Sequence, residues 1–191
     1  YLGKVPTPTI LDNLIAQGRI PSTAVVLIDN PSPEARGAEL PPNPEFVRFL
    51  AEELVPWVRQ QGIDASPART VIAGSSFGGL AASYAALKHP QLFGNVISQS
   101  GSYWWSPTGQ EPEWLTRAFI DAPRLPVRFY LEAGRFEAGN GQLGIFETTQ
   151  HLRDVLRAKG YDVQHREWSS GHDYLNWRGT LAEGLIALFG Q

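Results

Sequence analysis

The stretch Thr70-Val71-Ile72-Ala73-Gly74-Ser75-Ser76-Phe77-Gly78-Gly79-Leu80 changes character at its centre. A short apolar, β-branched run enters it, and an Ala-rich helical pattern leaves it through Tyr84 and Leu87. Strand, turn and helix are the setting in which Gly74-x-Ser76-x-Gly78 serves as a nucleophile elbow. Such a turn strains the backbone at Ser76, so its neighbours at 74 and 78 are expected to lack a Cβ. Gly79 lets the following helix lie close to the sheet. The helix N-terminus presents backbone N–H groups and a partial positive charge where an oxyanion would develop. A Gly/Ser turn between strand and helix also occurs for structural reasons alone, so Ser76 needs partners elsewhere in the chain.

Outward from the elbow, apolar runs alternate with helical patterns. Upstream, Ile10 to Ile15 reads as a short amphipathic helix closed by Gly18. Ala24-Val25-Val26-Leu27-Ile28 reads as a strand buried on both faces. Residues 31–44, rich in Pro, Gly and charge, read as a loop. Phe46, Val47, Leu50, Leu54, Val55 and Val58 recur at helical spacing, with Pro56 expected to kink that helix. Downstream of the elbow strand (70–74) and its helix (77–88), strands are expected at 96–98, 127–132 and 163–168. A long connection, 99–126, carries Tyr103-Trp104-Trp105 and an amphipathic piece from Trp114 to Ile120. A Gly-rich loop at 134–144, a helix to Gly160, a loop at 169–173 and a final helix complete the pattern.

Composition narrows the classes. At 191 residues the chain suits a single domain over 1–191 with a sizeable core. Its net charge of -3, with no basic stripe, argues against a nucleic-acid partner. No apolar run approaches the roughly 20 residues of a membrane span, so no membrane partner is expected. The absence of Cys excludes disulfides, thiolate chemistry and Cys-ligated zinc. No metal and no cofactor is expected, and the oligomeric state is open.

Strands alternating with helices imply a mostly parallel, doubly wound sheet. With a nucleophile elbow in it, that is an α/β-hydrolase fold, in which the serine follows the fifth strand. Here it follows the second of five, so the first strands are expected to precede Tyr1. The partners of the serine come in the order acid, then His. His172, in the tight loop Gly171-His172-Asp173 after the last strand, is the candidate general base. His89 at a helix end, His151 on a helix surface and His165 on an edge strand read as solvated or structural. The acid belongs in the loop after strand 127–132, where Glu137 is the candidate; Glu132 and Asp173 are alternatives.

The strings Ala73-Gly74-Ser75-Ser76-Phe77-Gly78-Gly79-Leu80, Leu92-Phe93-Gly94, Ser98-Gln99-Ser100-Gly101-Ser102-Tyr103-Trp104-Trp105, Leu131-Glu132-Ala133-Gly134 and Gly171-His172-Asp173 with Trp177-Arg178-Gly179 resemble the enterochelin (enterobactin) esterases. These are a siderophore-esterase branch of the esterase D-like α/β-hydrolases. Arg36-x-x-Glu39-Leu40-Pro41-x-Asn43 resembles the loop that follows in that family. The resemblance covers the chain from Val26 onward and implies hydrolysis of a catecholate siderophore trilactone to release iron in the cytoplasm, the periplasm being the other compartment. It implies Ser76 as nucleophile, His172 as base, Glu137 as acid and the Phe77 N–H as one oxyanion donor, the second preceding Tyr1. A flat, anionic catecholate would suit Arg36 and Arg178 for charge and Trp104, Trp105 or Trp177 for stacking, although large aromatics beside a sheet are often core. Two other readings are a general carboxylesterase or feruloyl-type esterase of the same superfamily, and a catalytically incompetent hydrolase fragment with a binding role.

Overall fold

The computed structural model describes residues 2–139 and 143–190, so part of the expected 134–144 loop, residues 140–142, lies outside the described residues. Four strands form one parallel sheet in sequence order: β1 (Val71–Ser75), β2 (Asn95–Gln99), β3 (Arg128–Gly134) and β4 (Asp162–Trp168). Their register aligns Ser75, Gln99, Glu132 and Arg166 on one level. The loops that leave the carboxyl ends of the strands therefore start together, which is where open α/β sheets place their sites.

Alternation along the inner strands supplies two apolar faces. Val96, Phe129 and Leu131 point to one face, and Ile97 and Tyr130 to the other, all nearly or fully buried. The first face is covered by α3 (Pro44–Phe49), α4 (Val55–Gln60), α5 (Phe77–Lys88), α6 (Trp114–Asp121) and α7 (Ile145–Ala158). The second face is covered by α1 (Thr7–Ala16) and α8 (Tyr174–Phe189), through Leu11, Leu14, Trp177, Leu181, Leu185 and Leu188. Among the described residues no helix is long and apolar enough to cross a membrane.

Three local expectations are corrected. Residues 24–28 are not a strand, and Val25, Val26, Leu27 and Ile28 are 37–46% exposed. A strand needs a neighbour to hydrogen-bond, and among the described residues β1 pairs with β2 alone. Within the expected 31–44 loop lies α2 (Pro33–Glu39), because Ser32 Oγ caps the N–H of Ala35 and Pro33 has the φ of a first helical residue. The helix through Pro56 is interrupted rather than merely kinked. A π-helical turn at Leu50–Leu54 separates α3 from α4, widening the ladder where the proline ring would meet a carbonyl.

Candidate active site

Ser76 stands between β1 and α5 with φ 58° and ψ -124°, a region that side chains other than glycine's rarely enter. Four backbone bonds over-determine that conformation. Its N–H donates to Gln99 O (3.0 Å), and its carbonyl accepts from Ser102 N (3.1 Å), Gly79 N (3.1 Å) and Leu80 N (3.2 Å). A Cβ on Gly74 would collide with the backbone of Gly78, and one on Gly79 with Ser98 Oγ. At Gly78, by contrast, a Cβ would meet open space, so the expected requirement there is not sterically imposed. The N–H of Phe77 opens α5, where helical N–H groups have no partner within the helix.

β3 runs on into a 3-10 turn, Arg135–Glu137, whose last residue turns a carboxylate back over the strand ends. Its side chain is only 2% exposed. Oε2 accepts from Gly134 N (2.6 Å) and Ser100 Oγ (2.9 Å), and Oε1 lies 2.5 Å from His172 Nδ1. His172, 39% exposed, sits in the loop between β4 and α8 with its ring edge-on to Trp177, 4.9 Å between centroids. Donating from Nδ1 to a carboxylate leaves Nε2 of the neutral ring as the proton acceptor. Among the described residues Ser76 Oγ makes no hydrogen bond to His172; its neighbour is Ser102 Oγ at 3.4 Å.

The other two acids are engaged elsewhere. Asp173 caps α8, accepting from Leu175 N (2.6 Å) and Asn176 N (3.3 Å). Glu132 is fully buried and accepts from Gln99 Nε2 (3.0 Å), Trp168 Nε1 (3.0 Å), Tyr130 OH (3.2 Å) and Thr180 Oγ1. Burial raises the Glu132 pKa, and those four donors oppose the shift. Glu132 thus ties β2, β3, β4 and α8 together beneath the site.

Of the residues expected to meet substrate, Arg36 and Trp104 gather at Phe77. The Arg36 guanidinium is 5.9 Å from the Phe77 ring, and the half-exposed Trp104 ring is 6.0 Å from it. Trp105 packs edge-on against Trp114 beside the core. Trp177 is 4% exposed and lies under His172, and Arg178 is exposed on the next position of α8. The structure also brings in residues given no role from sequence. Gln99 Nε2 donates to Trp177 O (2.9 Å), Ser100 Oγ to Glu137, and Tyr103 OH to Ser98 Oγ (2.7 Å). Burial pushes the Tyr103 hydroxyl up to about 12, so it keeps its proton and its donor role. The string Ser98–Tyr103 is visible as a string, but apart from the Tyr103–Ser98 bond within it its partners, Ser83, Glu137 and Trp177 among them, lie on other elements, which no local pattern reveals.

A serine on a strained elbow, opposite a His–Glu pair at the carboxyl ends of a parallel sheet, is the arrangement of an α/β-hydrolase. Residues 1–188 match the family described as Putative esterase, and the chain belongs to that family. It is 38% identical over 189 residues to the iron(III) enterobactin esterase of Escherichia coli (strain K12), across 97% of this chain and 46% of that protein. The enterobactin esterase of Shigella flexneri, crystallised in the presence of 2,3-dihydroxy-N-benzoyl-glycine, superposes with a TM-score of 0.84 at 38% identity, over 93% of this chain and 47% of that one. A ferulic acid esterase superposes with a TM-score of 0.77 at 15% identity, over 98% of this chain and 78% of that one, a likeness of fold. The chain spans about half the length of the curated relatives it matches. The resemblance read from the sequence strings and these comparisons agree on the same relatives.

Proposed function

We propose that this chain carries the chemistry of a serine esterase acting on the ester bonds of a catecholate siderophore trilactone. The observation that carries the catalytic part is the buried Glu137 carboxylate against His172 Nδ1, across from the strained Ser76. The substrate class rests on 38% identity to enterobactin esterases over nearly the whole chain. In this reading Ser76 Oγ attacks the ester carbonyl as His172 Nε2 takes its proton. The Phe77 N–H, at the positive end of α5, donates to the oxyanion; one such donor is typically worth about 10²–10³ in kcat. Collapse of the tetrahedral intermediate breaks the C–O bond to the leaving alcohol, which receives the proton from His172. Water, deprotonated by His172, then releases the acyl group from Ser76. Glu137 holds the imidazole in one tautomer. The exposed face of Trp104 and the charge of Arg36 beside Phe77 suit an anionic aromatic acyl group, and Arg178 lies further out on α8.

Ser76→Ala tests the nucleophile. Turnover of an aryl ester and of a catecholate trilactone should disappear, and the fold should persist because a small hydroxyl in a turn contributes little packing. A fluorophosphonate should add once to the wild-type chain, on Ser76, as read by intact mass and peptide mapping. Labelling at another residue, or full activity in the Ala variant, removes Ser76 from the role. A folded chain that binds catecholates but shows no Ser76-dependent turnover would instead favour a binding role.

A further inference from the structure

We infer that Ser100 is a positioning residue for Glu137, with Trp177 as its brace; the inference rests on the Ser76–His172–Glu137 reading. Ser100 is the first residue after β2, fully buried, with φ 51°. Left-handed backbone favours glycine, so the turn itself gives no reason for a side chain here. The hydroxyl is what distinguishes this residue from the one the backbone would prefer, and both of its hydrogen-bonding capacities are used. It accepts from Trp177 Nε1 (3.0 Å) and donates to Glu137 Oε2 (2.9 Å). An indole N–H can only donate. Trp177 therefore fixes the direction of the Ser100 O–H, and the proton is left to point at the carboxylate.

The consequence falls on the acid. A terminal carboxylate turns in a broad, roughly two-fold well, so nothing intrinsic to Glu137 chooses which oxygen faces His172. Two donors, Gly134 N at 2.6 Å and Ser100 Oγ at 2.9 Å, hold Oε2, and Oε1 is left at 2.5 Å from His172 Nδ1. Trp177 also touches the base, its ring edge-on to His172. One buried side chain thus sets the acid through Ser100 and the imidazole by contact.

The test uses the strain. Ser100→Gly removes the hydroxyl and relaxes the backbone, so a stabilising role and a positioning role predict different results. With p-nitrophenyl acetate as probe, we expect an unchanged or higher Tm, KM within about twofold, and kcat down about tenfold. In a Glu137→Gln background the same change should cost less than about twofold, since residues acting as one unit are not additive. Trp177→Phe keeps an aromatic ring but loses the N–H together with part of the buried indole volume, so its Tm is read alongside; among folded molecules it should lower kcat about threefold with KM held. Full kcat in Ser100→Gly, beside an impaired Glu137→Gln, overturns the inference and leaves the triad standing. So does an equal loss in both backgrounds, or a loss that merely tracks the folded fraction while Trp177→Phe is fully active. Full activity in Glu137→Gln or Ser76→Ala, or the absence of any Ser76-dependent turnover, removes the triad reading and the inference with it.

Discussion

Glu137 is the residue on which the acid assignment turns. Its carboxylate is almost wholly buried yet makes three hydrogen bonds, one of them to His172, so its worth lies in orientation more than in charge. Glu137→Gln should lower kcat by about 10²–10⁴ with KM little changed, because an amide can present its N–H to Nδ1 and select the wrong tautomer. Steady-state kinetics on the aryl ester decide it, and a loss of less than threefold would exclude Glu137 as the acid. At this scale the sequence was legible for position: Ser76, Glu137 and His172, the residues proposed for catalysis, each follow a strand end at the same edge of the sheet. It was not legible for Trp177, expected to meet substrate. Whether an indole is wall or ligand platform depends on which face α8 presents, and that is settled only when α8 packs on Ile97 and Tyr130.

Among the elements, the elbow illustrates how steric demand is distributed. Gly74 is pressed against the backbone of Gly78, whereas Gly78 itself has room for a methyl group within this chain. Gly74→Ala should therefore destabilise by about 1–3 kcal/mol, as overpacking does. Gly78→Ala, in the first turn of α5, should stay within about 0.5 kcal/mol of wild type or improve on it. Urea unfolding of both variants gives the comparison, and equal losses would show that the constraint belongs to the turn as a whole. The inner strands and α6 were readable to within a residue or two, and α5, buried nearly all round, was readable through its Ala-rich composition. The run 24–28 was misread because periodicity reports an appetite for burial and is silent on the availability of a hydrogen-bonding partner. The small helix α2 was missed for the opposite reason: its signal is a cap, Ser32 before Pro33, rather than a stripe.

Across the whole molecule, acid sensitivity should be concentrated at β4. His165 Nδ1 faces Arg153 Nη1 at 3.2 Å, and its Nε2 is buried without a partner among the described residues. Burial first, then the Arg153 charge, depress its pKa from the ordinary 6.5 to about 4, with Arg157 adding to that and Glu167 and Asp154 opposing it. Below 6.5 the unfolded chain binds the extra proton and the folded chain does not, so stability is flat above that pH and falls as pH drops toward 4. His165→Asn should flatten this slope by about 1–2 kcal/mol between pH 7.5 and pH 5, after discounting for partial exposure. Urea midpoints of the two proteins at the two pH values measure it, and parallel curves would place the acid sensitivity elsewhere.

The helices that close the second face of the sheet, Thr7–Ala16 and Tyr174–Phe189, lie at opposite ends of the described chain. During synthesis the first of them must wait for the second, and at roughly 5–20 residues per second the delay is on the order of ten seconds. Until then Leu11 and Leu14 have no apolar partner from α8, and the nascent chain holds exposed grease that a chaperone can grip. His172 lies immediately upstream of that late helix, while Ser76 emerged long before. On the proposed reading, a ribosome-bound chain carries its nucleophile without its base until that helix packs, and ester hydrolysis waits on the same step.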